Sequence, residues 1–340
     1  MYTQQGIVDV IDLGGAWPRW PAGALKVWQE AHARAAAVAD PSCWAPAEGD
    51  PVLREQLARV TGARADQLVV TSGVRAAAPA LVRGCSHVVV ERPTFLGVPD
   101  TLAAHGVPVR FLPWDRVREV PGGAALWVTT PCRNPDGRQP DAAFLADLRA
   151  AVRRGVRVIC NTAYTWYAGR VELPPGVIRV GTLHKIAGPG AGVGWVVRED
   201  PGSVGPHSAM PAPPAYWQRV WGYFLEAGGL ALLRAPHEEI EAVRAAFLGR
   251  VGTADAGWGP HVLLRVPAAE EDAVSALAEV GVIVGPGSAF GAEAPSVRAC
   301  LIGSTVESAR LAGERIRAVF PDLPDTPPGP PAPDPGGVDM

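Results

Sequence analysis

Leu68-Val69-Val70-Thr71-Ser72-Gly73 passes from an apolar run, through a short polar turn, into an Ala-rich stretch ending at Gly84. That order reads as strand, turn, helix, because β-branched residues suit a buried extended backbone and glycine frees the chain to turn. Further strands follow. His87 to Val90 is stopped by Arg92-Pro93, and Leu126-Trp127-Val128 is closed by Pro131. After Asp141 the period becomes helical: Phe144, Leu145, Leu148 and Val152 share one face, Asp141 caps the start and Gly155 stops the end. Val156 to Cys160, Val177 to Val180 and Val193 to Val197 are again strands. Apolar strands alternating with amphipathic helices predict an α/β fold, with a mostly parallel mixed sheet covered on both faces.

The last third has a different rhythm. Ile240, Val243, Phe247 and Val251 line one face of a helix that begins near Pro236. Then come His261 to Val266, a helix near Glu270 to Val280, Val282 to Val284, Val297 to Ile302 and a final helix over Val306 to Val319. This predicts a smaller α+β domain joined in space by the N-terminal segment. The expected division is a large domain over 40–225, a small domain from 1–39 and 226–320, and a tail over 321–340. The tail holds eight prolines and almost no apolar side chains, which predicts disorder. No internal repeat is present.

Composition excludes several functions. The chain has 340 residues, 48 % hydrophobic and 19 % charged, as in a compact globule, and a formal net charge of −3. Its scattered Lys and Arg give no basic face for nucleic acid. Met1 to Gly15 lacks the basic start and apolar run of a signal peptide, and no apolar stretch of about 20 residues suits a membrane. Cys43, Cys85, Cys132, Cys160 and Cys300 are far apart and form no C-x-x-C pair. We expect free thiols and a cytoplasmic location, without a disulfide framework or a metal site.

In a parallel sheet, ligands lie beyond the carboxyl ends of the strands. The residues there are Thr71-Ser72-Gly73, Thr94-Phe95, Asn134, Asn161 with Tyr164, and Thr182 to Lys185. Apart from Lys26, Lys185 is the only lysine in the chain. The glycines from Gly188 to Gly194 are spaced G-x-G-x-G-x-G and precede a strand, which rules out a dinucleotide loop opening a helix.

Taken in order, seven blocks resemble the class I/II aminotransferases of pyridoxal-phosphate fold type I. They are Gly49-x-x-x-Leu53-Arg54, Thr71-Ser72-Gly73, Glu91-Arg92-Pro93-Thr94-Phe95, Asn134-Pro135-Asp136-Gly137, Asn161-x-x-Tyr164, Gly181-Thr182-Leu183-His184-Lys185 and Val297-Arg298. The resemblance runs from about Ile11 to Val319, and Pro131 to Gly137 with Lys185 to Trp195 looks closest to the alliinase-like and tryptophan-aminotransferase branch. It implies an aspartate-aminotransferase-like fold, pyridoxal 5'-phosphate as cofactor, an α-amino acid substrate and a homodimer. It also implies roles. Lys185 would form the Schiff base and move the proton at Cα, and Phe95 would stack on the pyridine ring. Asn134 and Tyr164 would bond the 3-oxygen. Ser72, Gly73, Val74 and Arg75 would surround the phosphate, the first two through backbone N–H groups, and Thr182 would add a hydroxyl. Arg298 would hold the substrate carboxylate, with Gly15 and Trp17 beside it. Trp17, Trp166, Tyr167 and Trp258 would line an aromatic side-chain pocket.

Three positions depart from the family pattern. Asn161 stands where the family has an aspartate under the pyridine nitrogen, Gly192 where it has a phosphate-binding arginine, and Trp44 where a tyrosine reaches a neighbouring subunit's phosphate. Arg75 or His184 could compensate. An amide cannot supply a counter-charge to a protonated ring. The departure favours elimination or replacement at Cβ over transamination. It also leaves open a protein that binds another ligand or works without the cofactor, and an enzyme acting on a nucleoside- or peptide-linked amino acid.

Overall fold

The computed structural model describes residues 9–15, 17–40, 42–199, 210–252 and 257–323. A short β1 (Ile11–Asp12) precedes seven strands of one sheet: β2 (Leu68–Thr71), β3 (Val88–Glu91), β4 (Val109–Leu112), β5 (Ala125–Thr129), β6 (Arg157–Asn161), β7 (Ile178–Thr182) and β8 (Gly194–Val197). Their order is β2-β8-β7-β6-β5-β3-β4, parallel throughout except for β8. From β3 the chain moves outward to β4, and from β5 it moves the other way through β6 and β7. The order therefore reverses between β3 and β5, where doubly wound sheets open a crevice for ligands.

Both faces of this sheet are covered. Along β5, Trp127 packs with Val88, Val90 and Leu102 on one side, while Leu126 and Val128 pack with Phe144 and Leu148 on the other. Two-sided burial explains why these strands read as continuous apolar runs rather than alternating ones. The helix Ala142–Arg153 is capped as its sequence predicts: the Asp141 carboxylate accepts the Phe144 N–H at 2.7 Å.

Beyond the sheet come β9 (His261–Arg265), β10 (Val282–Ile283), β11 (Gly285–Pro286) and β12 (Ser296–Cys300). β11, β12 and β9 form an antiparallel sheet, and β1 pairs in parallel with β10. Through this pairing the N-terminal segment meets the last third of the chain. The helix Ala22–Val38 packs against the helix Ala215–Glu226. Trp20, Trp28, Trp221 and Phe224 join there, with ring centroids 4.7–5.9 Å apart. Leu323 is buried in the core, so packing continues slightly past the predicted start of the tail at 321. From 324 onward the tail lies outside the described residues. No described helix is long and apolar enough to cross a membrane.

Candidate active site

A cavity of about 790 Å³ opens at the carboxyl ends of the parallel strands, within the usual range for small-ligand sites. Its lining brings together residues from distant segments: Gly15 and Trp17, Ser72 to Arg75, Phe95, Asn134, Asn161, Tyr164, Thr182, Lys185 and Arg298. Trp166, Tyr167 and Trp258 do not line it, which corrects the expected aromatic pocket. Trp166 and Tyr167 are buried behind the strand ends. Their polar atoms are tied to backbone, Trp166 Nε1 donating to Thr182 O at 3.1 Å and the Tyr167 hydroxyl donating to Lys185 O.

Lys185 sits on one short turn, His184–Ala187, directly after β7. Its Nζ is 5.1 Å from the ring centroid of Trp17, 5.5 Å from that of Tyr164 and 5.8 Å from that of Phe95. Asn134 Nδ2 donates to the Tyr164 hydroxyl at 3.1 Å, leaving Asn134 Oδ1 buried and without a partner. The turn that carries Asn134 is fixed by Arg133, a buried guanidinium paired with Asp136. Asn161 Oδ1 accepts the Ala163 N–H at 3.2 Å. The carboxamide therefore has its acceptor end engaged and only its NH₂ end left to meet a ligand.

The anion-binding end differs from expectation in two details. The backbone N–H of Ser72 donates to Pro211 O at 2.8 Å, so it is not available to a phosphate. The Thr182 hydroxyl donates to Val193 O at 3.0 Å and accepts the His184 N–H at 3.1 Å, so its proton is engaged too. What remains is the first turn of the helix Val74–Leu81, whose early N–H groups have no intrahelical partners. Gly73 caps this helix, with Gly194 of β8 packed so closely that an added Cβ would stand 2.6 Å from Gly73 Cα.

Gly192 and Trp44 lie outside the cavity lining. Gly192 adopts φ +60°, a left-handed conformation that disfavours a side chain, which accounts locally for the missing arginine. Trp44 is 96 % exposed. The cationic or basic groups that do line the cavity near the helix start are Arg75 and His184, whose Nε2 is buried without a partner. Burial, with the nearby charges of Lys185 and Arg75, pushes the His184 imidazole below its ordinary pKa. It is therefore a neutral hydrogen-bonding group near neutral pH.

The sequence assigns no role to two further groups here. His261, at the start of β9, lines the cavity and stands edge-on to Tyr164 with centroids 4.6 Å apart. Glu91 closes β3 from beneath. It is fully buried, receives the Trp114 indole N–H, and burial raises its carboxyl to about 7 against the opposing charge of Arg133. The cavity suits a planar anionic ligand such as pyridoxal phosphate. Among the described residues no Asp or Glu lines it, and the Asn134 oxygen is an acceptor without a donor.

Comparison with known proteins agrees with this architecture. The family model for aminotransferase class I and II matches residues 8–173. No curated protein sequence matches the chain. Among solved structures, an aspartate aminotransferase double mutant from Thermus thermophilus superposes with a TM-score of 0.75 at 22 % identity, covering 92 % of each chain. An α-aminoadipate aminotransferase, also from Thermus thermophilus and complexed with N-(5'-phosphopyridoxyl)-L-leucine, gives 0.76 at 21 %, covering 91 % of this chain and 92 % of that one. The N-succinyldiaminopimelate aminotransferase of Mycobacterium tuberculosis gives 0.75 at 21 %, covering 91 % and 93 %. The chain has the fold of the class I and II aminotransferases, and its residues 8–173 match that family.

Proposed function

We propose that the protein carries out a pyridoxal-phosphate-dependent reaction on an α-amino acid, with Lys185 as the cofactor-binding residue. The observation that carries this reading is the meeting of Lys185, Phe95, Asn134, Tyr164 and Arg298, from five separate segments, in one cavity. When bound, the cofactor supplies an aldehyde that joins an amine and a ring that draws electrons from Cα. The chain's own residues supply the rest. Lys185 Nζ offers the amine and, once displaced by substrate, moves the proton at Cα. Phe95 provides an apolar face for the ring. Asn134 and Tyr164 together present an amide and a hydroxyl, as a phenolic oxygen requires. Arg298 holds the substrate carboxylate. The first turn of the helix Val74–Leu81, with Arg75 and His184, receives the phosphate.

Asn161 supports the finer reading. Its engaged Oδ1 leaves an N–H donor for the ring nitrogen, so that nitrogen is met as an acceptor and held unprotonated. A ring of this kind withdraws electrons less strongly. Loss or exchange of a group at Cβ then gains over transamination, because the leaving group carries the electrons away. The resemblance to the alliinase-like branch points the same way. A homodimer fits the almost wholly exposed indole of Trp44, which a second subunit would cover. Free thiols, three of them buried, support a reducing compartment such as the cytoplasm.

The test is a panel of L-amino acids incubated with the reconstituted protein, with and without a 2-oxo acid. Release of a Cβ substituent without the oxo acid supports elimination or replacement. Formation of a new amino acid only with the oxo acid would reassign the enzyme to transamination. Neither product, from any amino acid, would end the reading.

A further inference from the structure

One wall of the cavity carries a residue that the reading above leaves unused. On β9 and β12 the side chains of Val262, Leu264, Val297 and Ala299 share one face and enter the apolar core. The intervening side chains share the opposite face. His261 is paired directly with Cys300 and lies diagonal to Arg298, which is paired with Leu263. Diagonal neighbours on a sheet face are within reach of long side chains. His261, Cys300 and Arg298 all line the cavity.

His261 is 2 % exposed, and its Nδ1 has no hydrogen-bond partner. Arg298 is 8 % exposed. Its Nη2 donates to Gly14 O at 3.2 Å, while its Nε is buried without a partner. Burial, reinforced by the charges of Arg298, Lys185 and Arg244, holds the imidazole well below its ordinary pKa. A neutral imidazole carries one N–H donor and one acceptor. Buried polar atoms without partners are costly in a native structure unless something else meets them. Here the site itself offers no carboxylate, since no described Asp or Glu lines the cavity. A ligand carboxylate would bring two oxygens able to meet both residues at once.

We propose that His261 is a substrate-binding residue, whose imidazole N–H joins the Arg298 guanidinium in holding the α-carboxylate of the amino acid. This rests on the reading of the cavity as an amino-acid site. The competing role is packing alone, in which the ring fills space against Tyr164 and binds nothing.

The test is calorimetric titration of propionate, a carboxylate that cannot react, into the protein incubated with pyridoxal phosphate. Native protein is compared with His261→Phe, which keeps a ring but no N–H, and His261→Asn, which keeps a donor. Loss of a hydrogen bond to a charged group predicts about 10- to 100-fold weaker propionate binding in His261→Phe. His261→Asn should retain most of the affinity. For the substrate, KM should rise in His261→Phe with kcat little changed. A measurement on the native protein needs no variant: the ¹⁵N resonances of the His261 ring should shift on adding propionate. Unchanged affinity in His261→Phe, equal weakening in both variants, or no ¹⁵N shift in the native protein would each overturn the proposal. Propionate affinities ranked as predicted in a protein without a visible cofactor band would instead sink the cofactor reading and leave His261 standing.

Discussion

The two walls of the cavity hold their polar residues by different means. On the wall belonging to the seven-stranded sheet, Ser72, Asn134, Tyr164 and Lys185 follow strand ends and are placed by turns. On the wall belonging to the three-stranded sheet, Arg298 and His261 stand on strands and are placed by the β9–β12 register. A turn can adjust one residue at a time. A register cannot: slipping β12 by one residue would drive Arg298 into the core and bring Val297 to the cavity. The second wall therefore holds the side chains of Arg298 and His261 in a fixed relation. In the proposed reaction, chemistry would fall on the first wall and recognition on the second.

Substitutions can break or sharpen that division. The largest effect should come from Lys185→Ala on the first wall. It removes the reacting amine, so kcat should fall by more than about a thousandfold in a steady-state assay. Arg298→Ala on the second wall should act chiefly on KM, lowering kcat/KM by about 1.5–3 kcal/mol of transition-state binding. A fall confined to kcat would contradict the division of labour.

Glu91 lies beneath the first wall and sharpens the comparison through pH. Its folded carboxyl titrates near 7, above the ordinary 4.5. Between those values the unfolded chain has released its proton and the folded chain has not, so stability falls as pH rises from about 4.5 to 7. Glu91→Gln removes this term. In urea titrations its stability relative to the native protein should improve across that window by an amount on the order of 3 kcal/mol. A pH-independent difference would mean that Arg133 keeps Glu91 ionised throughout. The smallest effect should come from Asp141→Ala, which removes a helix cap without touching either wall. It should cost about 1 kcal/mol of stability in the same titration and leave KM unchanged.

The same contrast explains what could be read in the sequence. Turn-placed residues announce themselves, because a buried strand ending in small polar residues is a local pattern; Thr71-Ser72-Gly73 and Thr182 to Lys185 are of this kind. His261 had no such signal, since a lone histidine opening a strand reveals neither which face it occupies nor what lies opposite. β4 was missed because as an edge strand it is Val-Arg-Phe-Leu, partly exposed and without an apolar run. The helix Ala22–Val38 has no side-chain cap and no acidic first turn to mark its start. The occupied donors of Ser72 and Thr182 depend on Pro211 and Val193, contacts made by chain far along or across the sheet. Local chemistry was legible, and whatever depended on pairing between distant segments was not.

The central claim is that Lys185 faces a working pyridoxal-phosphate site despite Asn161, Gly192 and Trp44. The most direct measurement is the visible absorbance of the purified protein titrated with pyridoxal phosphate, alongside Lys185→Ala. The account predicts a saturable band in the native protein, characteristic of the cofactor joined to a lysine, that is absent from the variant. No band at any cofactor concentration, or the same band in both proteins, would contradict it.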